Sequence, residues 1–134
     1  METARIALLP IACAVLATVA TVPALARSNE EALLRLAPSA RMEQRCNAKA
    51  MGTIGRERKG MRPDELVAYA FADTKLKDGL ILAPGAAVRS RGKWYRLSYS
   101  CQTADNGTQV TTFTYTLGSE VPRDQWSQHY LVPP

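Results

Sequence analysis

The sequence predicts an α+β domain: N-terminal helices packed on one face of a roughly four-stranded antiparallel sheet, with one helix-to-sheet disulfide. Two patterns predict the elements. Met42, Cys46 and Ala50 recur every four residues, which places them on one face of a helix. In KWYRLSYSCQT, Tyr95, Leu97, Tyr99 and Cys101 alternate with Trp94, Arg96, Ser98 and Ser100, which is a strand with two distinct faces. The third observation joins them. Cys46 and Cys101 fall independently on the inward faces of the helix and the strand, so a bond between them would staple the two layers.

The chain has 134 residues and opens METARIALLPIACAVLATVATVPALARSNEE. Arg5 forms a short basic start, no charge follows from Ile6 to Ala26, and Ala24-Leu25-Ala26 has the small-x-small form cut by signal peptidase. An uncharged run of this length is also long enough to span a bilayer. Pro10, Pro23 and the cleavage site favour a signal peptide over residues 1–26, cleaved to leave a single α+β domain at 27–134. That domain of 108 residues can bury one core. The expected location is periplasmic or secreted. Cys13 leaves with the signal, so Cys46 and Cys101 pair in the oxidising compartment. The loop they close spans roughly 55 residues, worth about 4 kcal/mol on the chain-entropy model.

Ser28, with Glu31 three residues on, has the form of a capping box for a first helix that Pro38 ends. Ser39 is the expected cap of the second helix, and Gly52 its stop. Residues 52–63, GTIGRERKGMRP, read as a mobile loop. PDELVAYAF carries two signals. Pro63-Asp64-Glu65 resembles a helix first turn, whereas Val67, Tyr69 and Phe71 alternate as in a strand; the alternation is favoured.

Face parity sets the hairpins. A two-residue Arg91-Gly92 turn pairs Val88 with Tyr95 and Arg89 with Trp94, at the cost of positive φ at Arg91. A three-residue Asp105–Gly107 loop pairs Ala104 with Thr108, Cys101 with Thr111, Tyr99 with Phe113 and Leu97 with Tyr115. The tail suggests a helical turn begun at Pro122, with Trp126 and Tyr130 clamped onto the sheet.

Catalysis is not expected. The one histidine, His129, lies in the aromatic tail with no partner named by the sequence, and no nucleophile elbow or phosphate-binding glycine loop occurs. Paired cysteines leave no thiol nucleophile, and no metal-ligand spacing or cofactor motif is present. A hydrolase using distant carboxylates such as Asp73 and Glu120 is the enzymatic alternative. A protein-interaction or inhibitor module is another, on fold analogy alone.

A binding module is the stronger class. Arg89, Trp94 and Arg96 share the face turned from the helices, with Arg91 in the turn and Lys93 just after it. Guanidinium stacked on indole would present a cationic platform for an acidic protein, a glycan or an anionic lipid surface. Export argues against nucleic acid. The formal net charge of +5 suits such partners, although charge alone equally serves solubility. The plainer reading, ranked first, has the C-terminal turn covering Trp94 and the arginines merely solvated.

MEQRCNAKAM, PDELVAYAF, APGAAVRSRGKWYRLSYSC and VPRDQWSQHYLV together resemble the bacterial domain of unknown function numbered 930, a family of small exported alphaproteobacterial proteins. The resemblance covers about ninety residues, from Arg41 to Val132. It implies an exported single-domain protein with the same two cysteines. It implies no activity, cofactor or catalytic residue.

Overall fold

The computed structural model describes residues 24–134. The expected signal segment lies outside the described residues up to position 23. Two helices, α1 (Ala24–Leu34) and α2 (Pro38–Glu57), precede five strands: β1 (Pro63–Val67), β2 (Lys75–Lys77), β3 (Leu80–Ser90), β4 (Lys93–Ala104) and β5 (Gln109–Glu120). Two 3-10 turns, Arg123–Gln125 and Ser127–His129, close the chain.

The helix boundaries differ from the sequence expectation in an instructive way. α1 spans Ala24–Leu34, so Ser28 falls within the helix and not at its start. Pro38 opens α2 rather than closing α1, and Ala37, not Ser39, is the residue at the cap. Proline suits a first helical position because the amide hydrogen it lacks would have no partner there. α2 also continues past Gly52 to Glu57, so the segment 52–63 is half helix and only Arg58–Arg62 is a connection. Ile54 explains the extension. It continues the stripe of Met42, Cys46 and Ala50 and is fully buried, which offsets the roughly 1 kcal/mol that each helical glycine costs.

The sheet is antiparallel, ordered β1-β3-β4-β5, with β2 beside the first half of β3. PDELVAYAF holds a strand, β1, but it covers Pro63–Val67, the part that resembles a helix first turn; Tyr69 and Phe71, whose alternation suggested a strand, lie in the turn beyond it. At the β3–β4 turn the expected register holds: Ser90 pairs with Lys93, Arg89 with Trp94 and Val88 with Tyr95. Arg91 takes φ +51° and Gly92 +76°, the left-handed pair that a two-residue hairpin requires.

The β4–β5 register is corrected by two residues. The loop has four residues, so Ala104 pairs with Gln109, and a bulge beside Val110 brings Cys101 to Phe113, Tyr99 to Tyr115 and Leu97 to Leu117. A shift of two preserves the face of every side chain, so the core assignment survives. Gly107, at φ +82°, is where this loop meets α2. A side chain there would come within 2.3 Å of Met42 Cγ.

Packing divides between the two faces of the sheet. Met42, Cys46, Ala50 and Ile54 of α2 pack on Ile81, Ala83, Ala86, Val88, Leu97, Tyr99 and Cys101. The Cys46–Cys101 disulfide is formed, with Cα atoms 5.9 Å apart. The Tyr99 hydroxyl donates to Asn47 Oδ1 at 2.7 Å, and burial raises the phenol pKa, with the Glu43 charge adding to it. A smaller core of Ala70, Ala87, Trp94, Val121, Trp126 and Leu131 lies on the other face. Trp126 anchors the tail as expected, but Tyr130 is 68% exposed. Its φ of +60° reverses the chain and sends Leu131 inward in its place.

Candidate functional site

Alternation along β4 turns Trp94, Arg96 and Ser98 away from α2, and the register sets Arg89 beside Trp94. These residues meet different fates. Trp94 is fully buried, and its indole N–H donates to the Val132 carbonyl at 2.9 Å. Arg89 lies 5.6 Å from the indole ring, so the expected guanidinium–indole pair exists, but beneath the C-terminal segment. Its Nε donates to Asp64 Oδ1 at 2.9 Å and Nη2 to Oδ2 at 3.3 Å, while Nη1 reaches the carbonyls of Val132 and Pro133. The hydrogen bonds it donates to Asp64 raise the Arg89 pKa above its already high value. The open Arg89–Trp94 platform is therefore absent. The tail covers Trp94, and Arg89 is neither platform nor solvated; it is a buried tie between β3, β1 and the tail.

Arg96, two residues on, is exposed, with its guanidinium carbon 3.8 Å from the centre of the Phe71 ring. The other neighbour of that ring is His129, 4.1 Å away, whose Nδ1–H donates to the Ala70 carbonyl at 2.8 Å. Arg96 borders a shallow trough of 380 Å³ with Ser98, Thr116 and Pro84. Neither Asp73 nor Glu120 lines it.

Arg91 and Lys93 stand exposed at the tip of the β3–β4 hairpin. Lys93 Nζ is 3.1 Å from Glu120 Oε2, a hydrogen bond that raises its pKa. Arg91 Nε donates to the Gly60 carbonyl at 2.7 Å, and the Arg62 amide donates to Ser90 Oγ at 2.8 Å. These two bonds seat the 58–62 connection against the hairpin tip. They join Arg56, Arg58, Lys59 and Arg62, all exposed, to Arg91 and Lys93. The acids of this end are engaged locally: Glu57 accepts from the Tyr115 hydroxyl, Glu120 holds Lys93, and Asp64 and Glu65, both half-exposed, face Arg89. The segment RERKGMR was expected only as part of a mobile loop, and its place beside RSRGK depends on β1 pairing with β3, which no local pattern reveals.

Among the described residues, no group of three or more His, Cys, Asp or Glu is arranged to hold a metal ion. Among the same residues no helix is long and apolar enough to cross a membrane. The family model described as Domain of Unknown Function (DUF930) matches residues 33–131. The chain belongs to this family. No curated protein and no solved structure matches it. The DUF930 match takes in α2, the whole sheet and both cysteines, and ends at Leu131, the last buried residue of the tail. Val132 and Pro133, whose carbonyls hold Arg89, lie just beyond it.

Proposed function

We propose that this DUF930 chain is an exported, non-enzymatic module that binds an acidic envelope component through the basic end of its sheet. Arg91, Lys93 and Arg96, expected from the sequence to meet a partner, act there with Arg56, Arg58, Lys59 and Arg62. Arg89 and Trp94 support the surface from beneath instead of touching the partner. The observation that carries this reading is the Arg91 Nε–H bond to the Gly60 carbonyl, which makes one surface of two basic stretches distant in sequence. A polyanion meeting several clustered cations gains from each of them, whereas one exposed ion pair contributes little. The periplasmic or secreted location fits the signal-like segment and the disulfide, since such bonds persist in oxidising compartments.

The test is retention of the purified protein on vesicles of anionic phospholipid and, in parallel, on an acidic polysaccharide. Retention on one of them that weakens as salt is added, and is lost in the triple variant R58E/K59E/R91E, is expected. Undiminished retention of the triple variant on both would overturn the proposal.

A further inference from the structure

The two edges of the sheet are built on opposite principles. One is divided between β1, of five residues, and β2, of three. It carries Pro63, Asp64 and Glu65 with a register irregularity on β1, and Lys75 and Lys77 on β2. Short strands, proline, charges and bulges are the means by which native sheets prevent an edge from pairing with another chain. The other edge is β5, of twelve residues. From Val110 to Ser119 it has no charged residue and no proline. Its ladder with β4 runs without irregularity from Thr112 to Leu117, and the breaks lie outside that stretch. Among the described residues no strand pairs with its outer side. Phe113, Tyr115 and Leu117 pack against the helix-side core yet stay only half-buried at this rim.

We propose that β5 pairs antiparallel with β5 of a second copy of this chain, around a two-fold axis at Thr114. Parity restricts the register. An axis through a residue sets like faces together, while an axis between residues would set Phe113 against a threonine. Centred on Thr114, the seam pairs Thr114 with Thr114 of the second copy, Thr112 with Thr116, and Phe113 with Tyr115. Aromatic and threonine cross-strand pairs of this kind are favourable. The outcome is one continuous sheet of ten strands with both α2 helices on the same face.

The self-complementary pairs name a second copy as the occupant, and the charge distribution permits it. Each copy carries +5, so association is tolerated only where the seam is neutral and the cations stay apart. The seam is uncharged over ten residues. Glu120, at the end of β5, pairs with Tyr95 near the basic hairpin tip, so antiparallel pairing carries the two basic tips to opposite ends of the sheet. Each tip remains open to an anionic partner.

Sedimentation of the purified, disulfide-intact protein over a range of concentrations tests this. A reversible monomer–dimer equilibrium is expected for the wild type. Thr114 is exposed, so both T114K and T114E should fold, as circular dichroism would verify. Each alone should weaken the dimer about fivefold or more, because like charges then meet on the axis. An equimolar mixture of the two should recover the dimer. A wild type that stays monomeric throughout overturns the proposal, as does a dimer that neither variant weakens. Failure of the mixture to recover rules out the Thr114 axis.

Discussion

The outer face of β4 holds two regions with one pattern and two physical characters. Trp94 is sealed beneath the tail, with its N–H satisfied by Val132 and Arg89 locked to Asp64 beside it. Two residues along, Arg96 stands exposed on Phe71, followed by Ser98 at the margin of an open trough. Alternation assigns all three side chains to the same face and is silent about what covers it. The cover comes from 3-10 turns some thirty residues downstream, which reach the beginning of β4 and no further. Cation and aromatic are adjacent in both regions, but only in the second do they meet solvent.

The sharpest way to break this contrast is to truncate the indole. W94A removes a fully buried side chain and takes from the Val132 carbonyl its shorter hydrogen bond, leaving only the one from Arg89 Nη1 at 3.4 Å. It should cost about 3–5 kcal/mol, read by chemical denaturation. R89A comes next, at about 2 kcal/mol, since it leaves half-exposed Asp64 unpaired and releases the tail carbonyls. A stability change below 0.5 kcal/mol for R89A would mean that the tail does not depend on it.

A pH titration probes the helix-side core, independently of the outer face. Burial favours the neutral Tyr99 phenol, so its folded pKa lies above that of the unfolded chain. The contribution is fully present below about pH 10, the ordinary phenol value, and is lost as pH rises above it toward the folded value. Y99F should therefore show a shallower alkaline decline in melting temperature than the wild type. An identical decline would place the alkaline sensitivity elsewhere. The smallest effects belong to the open region, where S98A and T116A should stay within about 0.5 kcal/mol of wild type.

The hairpin at Arg91-Gly92 was legible because its turn is minimal, and apolar parity around Val88 and Tyr95 leaves one workable register. The β4–β5 pairing kept its faces and lost its register. A fourth loop residue and one bulge residue add to an even shift, which alternation cannot detect. Gly52 looked like a helix stop because local propensity carries no account of the burial awaiting Ile54. Tyr130 was expected inward and lies outward through a single left-handed residue. The candidate site was half legible: Arg91, Lys93 and Arg96 stood out, while the cations of the 58–62 connection join them through a pairing between strands some twenty-five residues apart.

Comparing R58E/R91E with R89A on the anionic surface that retains the wild type separates binding at the basic end of the sheet from binding beneath the tail. Because the bonds from Arg58 to Tyr115 and from Arg91 to Gly60 that it removes are exposed, R58E/R91E should stay folded at the assay temperature while losing retention. R89A, assayed below its lowered melting temperature, should keep it. Retention lost in R89A and kept in R58E/R91E would place binding under the tail and rule out the basic end as the binding surface.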